Sequence, residues 1–318
     1  MILAGGLSTR LYPLTRNVPK PLVPLLNRPV MAHVVEWLAH HAARDIMMNV
    51  HYLADAIVSY GGDGSRFGVQ LAYLHEQTLS GSAGAVKKAA PHFSATFVVV
   101  ACDTIALADL SAALAFHKER NAELTIVLAP ARDTSSCGVA VTDAQGRIEE
   151  FQEKPAKGTE KSAWGSTGVY ILEPQVLARI PERETYDFGT QLFPSMVASR
   201  ARIFGMQQDI YWCDLGSAQS YRRLHFDALR GVVRLRHGEG SQLADGVLTG
   251  KNVRISGSAR CIGPACIGDD CQIDEGSIVA SSILWQGVHV ERDAAIENAV
   301  VARPIVEPGS VLRGGEYV

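Results

Sequence analysis

The chain has 318 residues, 47% of them hydrophobic and 20% charged, with a formal net charge of −3 at pH 7. One hydrophobic core rarely serves more than about 250 to 300 residues, so a large domain plus a smaller one is expected. The near-neutral charge and the apolar content exclude a disordered chain and a broadly basic surface, so no nucleic-acid partner is expected. No apolar run reaches the roughly 18 residues of a membrane span, and Met1 leads straight into Ile2-Leu3-Ala4 without a basic or cleavable leader. A cytoplasmic protein without membrane contact is therefore expected. The six cysteines, at 102, 137, 213, 261, 266 and 271, form no C-x-x-C pair, which points to reduced thiols rather than a disulfide framework or a zinc site.

In chain order, Ile2 to Ala4 reads as a short strand that runs into Gly5-Gly6. Without a Cβ, such a turn lets backbone N–H groups approach an anion closely, so it is a candidate phosphate cradle. Arg10 adds a planar fork of donors, and Lys20 a point charge held between Pro19 and Pro21. Met31 to Ala43 places Val34, Val35 and Leu38 at helical spacing, Asp45 to Val50 is strand-like, and Phe97 to Cys102 reads as a buried strand. The alternation predicts a Rossmann-like α/β fold, a mostly parallel sheet with helices on both faces. Ligands of such sheets sit beyond the carboxyl ends of the strands, where both the Gly5-Gly6 turn and Asp103 fall.

The last seventy or so residues follow a six-residue repeat. One track reads Val247, Val253, Ala259, Ala265, Cys271, Ser277, and a second, two positions on, reads Thr249, Ile255, Cys261, Ile267, Ile273, Val279. The register slips by one after Val279 and returns as Val288 with Ala294 and Val290 with Ile296. Small and aliphatic residues on the inward tracks, with glycines at corners, predict a β-helix of about four turns, too short to stand without docking or self-association. Between the two regions periodicity is lost around Gly238, Gly240 and Ser241. The expected division is therefore a first domain over 1–232, a connector over 233–245 and the β-helix over 246–318.

The stretch Leu3 to Pro24 resembles the signature of the sugar-1-phosphate nucleotidylyltransferases, G-G-x-G-T-R-L-x-P-L-T and then P-K-P-L-x-P. In chain order, GDGSRFG (62–68), GSAGA (81–85), CDT (102–104), FQEKP (151–155), STGVYIL (166–172), YDFGTQLFP (186–194) and YWCDLG (211–216) also resemble the family's strings. The tail is similar to the hexapeptide left-handed β-helix.

The resemblance implies attack by a sugar 1-phosphate oxygen on the α-phosphorus of a nucleoside triphosphate, giving a nucleotide-sugar and pyrophosphate. Arg10 and Lys20 would be catalytic. Leu3, Ala4, Gly5, Gly6, Ser8, Thr9, Glu76, Gly81 and Ser82 would line the nucleotide, and Gly138, Glu153, Lys154 and Gly168 the sugar phosphate. Asp103 and Asp214 would bind Mg²⁺, which takes one or two carboxylates plus substrate phosphates. The G-[ST]-A-G-A form and short tail are most similar to the mannose-1-phosphate guanylyltransferases, with uridylyl or thymidylyl transfer to glucose 1-phosphate as the alternative.

A reading of another class, a catalytically silent regulatory or scaffold subunit of the same fold, predicts loss of Arg10, Lys20, Asp103, Asp214 or Lys154, and all five are present. The tail is read as a means of homo-oligomer assembly. Ser8 stands where the family usually has a third glycine, Ser166 where it usually has asparagine, and the first strand begins two or three residues short.

Overall fold

The computed structural model describes residues 1–182 and 185–318. The chain opens with β1 (Ile2–Leu3), a 3₁₀ turn at Thr9–Leu11, a second at Lys20–Leu22, and the hairpin β2 (Pro24–Leu25) and β3 (Arg28–Pro29). Then come α1 (Val30–His40), β4 (Asp45–Val50), α2 (Ala54–Gly61), β5 (Gln70–His75), α3 (Gly81–Lys88), β6 (Phe97–Ala101), β7 (Thr104–Ala106) and α4 (Leu110–Glu119). Four strands follow, β8 (Leu124–Pro130), β9 (Gly138–Thr142), β10 (Ile148–Glu153) and β11 (Trp164–Leu172). A π-helical turn at Phe188–Leu192 leads into α5 (Phe193–Ala198), and β12 (Ile203–Gln207), β13 (Trp212–Asp214) and α6 (Ala218–Leu229) complete this part.

The chain packs as two compact units, one of Met1–Leu7 with Val34–Asp214 and the other of Ser8–His33 with Leu215–Val318. In the first, strands run in the order β10-β9-β11-β6-β1-β4-β5, with β8 on β11 and β12 on β8. The expected sheet is present, in mixed form. β6, β1, β4 and β5 are parallel, while β11 lies antiparallel to β6 and to β8. Alternation of apolar residues reports burial, not direction, so the antiparallel half was not legible. Its core joins Val99, Leu124, Ile126, Phe188, Phe193 and Met196, with Phe151 and Tyr170 packed on them. α1 ends three residues before the expected Ala43, because Ala42 turns left-handed at φ 62°. α4 is capped by Asp109, whose carboxylate accepts the Ala112 N–H at 2.9 Å.

In the second unit, parallel strands from successive turns stack into three sheets, the β-helix expected from the hexads. Val247 pairs with Ala265, Ile267 with Leu284, Ile283 with Val300 and Val300 with Glu316, so the turns shorten along the chain from 18 residues to 17 and then to 16. That is the physical form of the register slip. From Ala265 onward both tracks point inward, and Ala265, Ile267, Cys271, Ile273, Val279, Val290 and Ile296 form the core, whereas Ile255, expected inward on the second track, is exposed in the first turn. Ser277, also on a track, is fully buried and donates to the Glu291 carbonyl at 2.8 Å. The expected connector is irregular through residue 241, and Gln242–Ala244 then joins the β-helix as an antiparallel edge strand on Val247–Thr249. All six cysteines are free thiols.

Candidate functional site

Leu3, Ala4, Gly5 and Gly6 leave β1 at the carboxyl edge of the parallel strands. Asn49, at the same edge of β4, accepts the Ala4 N–H at 2.9 Å and donates to Glu76 at 2.8 Å. A Cβ on Gly5 would lie 2.7 Å from the Asn49 amide, so only glycine lets the loop pass. Glu76 is buried and also takes hydrogen bonds from the Ser80 hydroxyl (2.5 Å) and Lys88 (3.0 Å). Burial alone would push its carboxyl up; the bonds from Ser80, Asn49 and Lys88, with the Lys88 charge, outweigh it and hold the group below its usual range. Glu76 is thus an ionised strut of the loop, and Asn49 is a residue that sequence reasoning missed.

Gly81 opens α3 at φ 79°, and a Cβ there would come 2.6 Å from the Tyr186 carbonyl oxygen. That same carbonyl accepts the Ala83 and Gly84 N–H groups, while Asp187 accepts both the Ser82 N–H (2.7 Å) and the Ser82 hydroxyl (2.9 Å). The first turn of α3 is therefore satisfied by the 186–187 loop. The DFG string that contains Asp187 was its only signal in the sequence.

β7 and β13 form a separate two-stranded ladder in which Thr104 faces Asp214. Asp103, in the turn between β6 and β7, is one residue from that partner, so two acidic residues distant in sequence meet at the strand ends. The Asp103 charge reaches Tyr170 and the Asp214 charge reaches Cys137. Burial pushes the Tyr170 phenol up to about 12, with Glu153 and Asp103 adding to the rise and a hydrogen bond to Ser166 opposing it. The Cys137 thiol is likewise pushed up to about 12, by burial first and then by Glu153, Asp133 and Asp214.

Glu153 ends β10 opposite Gly138 on β9 and pairs with Lys154 at 3.2 Å. A Cβ on Gly138 would overlap the Phe151 ring, and one on Gly189 would overlap the Glu153 carboxylate. Glycine at these two positions thus leaves room for the Phe151 ring and the Glu153 carboxylate, and Gly189 was not singled out in the sequence. Lys154 adopts φ 46°, and its N–H donates to the Cys137 carbonyl. Gly168 takes φ 79° inside β11, where the pairing with β8 shifts between Ser166 and Tyr170, and a Cβ there would press on Ala101 at 3.0 Å. Ser166 is buried with its hydroxyl 3.4 Å from the Tyr170 hydroxyl. Trp212 is half-buried beside Gly165, and its indole N–H finds no partner among the described residues.

The first unit therefore gathers Asp103, Asp214, Gly138, Glu153, Lys154 and Gly168, together with Leu3 to Gly6, Glu76, Gly81 and Ser82. Ser8, Thr9, Arg10 and Lys20 belong to the second unit. Ser8 sits at φ 59°, the left-handed geometry that explains the usual glycine, and its carbonyl accepts from the Leu11 N–H and the Thr15 hydroxyl. Arg10 is exposed; Lys20 is buried at the start of its 3₁₀ turn, where the Leu22 N–H donates to the Pro19 carbonyl at 2.8 Å. A cavity of about 610 Å³ opens beside Met1, Asp45, Gln70 and Phe97. These residues begin the parallel strands, so it lies opposite the substrate edge.

Among the described residues no cluster of three or more His, Cys, Asp or Glu side chains is built to hold a metal. A pair of carboxylates suits Mg²⁺, which completes its octahedron with phosphate oxygens and water. No helix among them is long and apolar enough to cross a membrane.

A sequence model of the nucleotidyl transferase family matches residues 1–230. The UTP–glucose-1-phosphate uridylyltransferase of Synechocystis sp. is 38% identical, covering 90% of this chain and 82% of its own. The mannose-1-phosphate guanylyltransferase of Mycobacterium tuberculosis is 29% identical, covering 94% and 82%. A Bacillus anthracis structure assigned as a glucose-1-phosphate thymidylyltransferase, solved with a sucrose, superposes with a TM-score of 0.66 at 25% identity, covering 75% of this chain and 96% of that one.

Proposed function

The chain belongs to the nucleotidyl transferase family, and we propose that it catalyses Mg²⁺-dependent transfer of a nucleotidyl group from a nucleoside triphosphate to a sugar 1-phosphate. The observation that carries the metal-dependent part is the β7–β13 ladder, which sets Asp214 against Thr104 and hence beside Asp103. These two residues would hold Mg²⁺, which would supply charge neutralisation at the phosphates. An oxygen of the sugar phosphate bonds to the α-phosphorus, the bond from that phosphorus to the bridging oxygen breaks, and pyrophosphate leaves. Such chemistry asks the protein for positioning and charge rather than a covalent intermediate. Backbone N–H groups at Gly5-Gly6 receive phosphate oxygens, Arg10 stabilises the departing pyrophosphate, and Lys20 holds the reacting phosphates in line. Glu153, for which Gly138 and Gly189 leave room, accepts from sugar hydroxyls, and Lys154 grips the sugar phosphate.

The uridylyltransferase relative at 38% identity supports UTP with glucose 1-phosphate as the substrate pair, ahead of the GTP with mannose 1-phosphate expected from the sequence. Pyrophosphate release measured over a grid of nucleoside triphosphates and sugar 1-phosphates decides between them. The account expects the highest kcat/KM at UTP with glucose 1-phosphate. A maximum at GTP with mannose 1-phosphate moves the specificity and keeps the chemistry, and a blank grid restores the silent-subunit reading.

A further inference from the structure

The hairpin β2–β3 follows Lys20 by four residues, and its two-residue turn is held from three sides within the second unit. Leu26 and Asn27 both adopt left-handed geometry, φ 51° and 61°, a strained choice for leucine that persists only where the surroundings impose it. From α6, Tyr221 donates to the Pro24 carbonyl at 2.5 Å, and His225 Nε2 accepts the Leu26 N–H at 3.2 Å. From the connector, the Gly238 N–H donates to the Leu26 carbonyl at 2.8 Å, and a Cβ on Gly238 would come 2.6 Å from the Asn27 carbonyl. From the β-helix, the Ile267 carbonyl accepts from Asn27 Nδ2 at 2.9 Å, and the Cys266 thiol donates to Asn27 Oδ1 at 3.2 Å. Trp285, also on the β-helix, donates to the Tyr221 hydroxyl at 3.1 Å.

Asn27 is the one side chain of the turn that bonds the β-helix at both ends of its amide. Its orientation is fixed by its partners, since a carbonyl only accepts and burial keeps the Cys266 thiol protonated and donating. The path back to Lys20 is short and stiff. The Val23 N–H donates to the Lys20 carbonyl at 3.1 Å, the Val30 N–H to the Val23 carbonyl at 3.1 Å, and Val23, Leu25 and Leu26 are fully buried. A displaced turn would therefore carry the Lys20–Leu22 segment with it.

We infer that Asn27 is a positioning residue: through its two hydrogen bonds to the β-helix it sets where the Lys20 turn lies, so the β-helix is part of the scaffold of the phosphate-binding lysine. The inference rests on the role proposed above for Lys20.

The test compares kcat and KM for Asn27→Gly, Asn27→Asp and Lys20→Ala in the full chain, each checked for folding by circular dichroism. Gly keeps the left-handed backbone and removes both bonds; Asp keeps the shape but turns a carboxylate oxygen towards the Ile267 carbonyl. For a small displacement of a reacting group, the expected result is a fall in kcat of about tenfold or more for both Asn27 variants. The nucleotide KM should stay within about twofold, the pattern of a group that matters most in the transition state. A folded Asn27 variant with wild-type kcat, while Lys20→Ala loses turnover, overturns the positioning role and leaves Lys20 in place. Wild-type kcat in Lys20→Ala overturns the reading of the lysine itself and the inference with it. In a Lys20→Arg background with residual turnover, Asn27→Gly should add no further loss, whereas fully additive losses contradict action through the lysine.

Discussion

Ser8 holds φ 59° and ψ 29° at the start of the Thr9–Leu11 turn, and a residue with a Cβ has a cost of about 1–2 kcal/mol there that glycine escapes. A β-branched side chain is worse, because its second heavy atom crowds the same carbonyl. Ser8→Val is therefore expected to lower the unfolding free energy by about 1–2 kcal/mol, while Ser8→Gly, trading strain relief for unfolded-chain entropy, should change it by less than about 0.5 kcal/mol. Urea denaturation of the three proteins reads both values, and equal midpoints for serine and valine would contradict the strain. The site residues readable from the sequence are those whose chemistry is carried by their own side chain or lack of one: Gly5, Arg10, Lys20, Asp103, Glu153. Asn49, Asp187 and Gly189 were not legible, because each acts on a residue far away in the chain: Asn49 on Ala4 and Glu76, Asp187 on Ser82, Gly189 on Glu153. Such roles exist only once the strands have taken their register.

At the scale of elements, α6 holds the β2–β3 turn through a neutral histidine. His225 is fully buried and its Nε2 accepts from Leu26, which leaves Nδ1 to donate to the Tyr221 carbonyl at 3.1 Å. Burial lowers its pKa from 6.5 to about 4, opposed by the Tyr221 carbonyl and assisted by His33. Between those values the unfolded chain binds a proton that the folded chain refuses. The histidine's contribution is complete above pH 6.5 and is lost as pH falls towards 4; the gap corresponds to roughly 3 kcal/mol. A glutamine at this position would keep an acceptor for the Leu26 N–H without titrating. His225→Gln should therefore flatten the rise of stability between pH 4 and 6.5, measured by denaturant midpoints, and an unchanged slope would remove His225 as its source. The hexad tracks made the β-helix strands legible in advance, because one repeat sets both burial and pairing. The antiparallel arm of β8, β9, β10 and β11 was not, since nothing local in those segments specifies which neighbour each strand takes.

Over the whole molecule, the length and the hexad repeat led to an expected division into 1–232, 233–245 and 246–318, whereas the chain packs as Met1–Leu7 with Val34–Asp214 and Ser8–His33 with Leu215–Val318, so α6 groups with the β-helix. What the sequence did not disclose is that Ser8–His33, which carries Arg10 and Lys20, packs into the same unit as the β-helix. The reason lies in single contacts such as Asn27 with Ile267, which leave no periodic trace. The central claim is that Asp103 and Asp214, joined by the β7–β13 ladder, serve metal-dependent transfer of a nucleotidyl group to a sugar 1-phosphate. The most direct test is pyrophosphate release by wild-type protein and by Asp214→Asn, titrated with Mg²⁺ at saturating nucleoside triphosphate and sugar 1-phosphate. The account predicts Mg²⁺-dependent release by the wild type and a loss of at least about a hundredfold in kcat for a folded Asp214→Asn, because a neutral amide is a poor ligand for a hard cation. Turnover by Asp214→Asn within a few-fold of wild type, with an unchanged Mg²⁺ dependence, would contradict it.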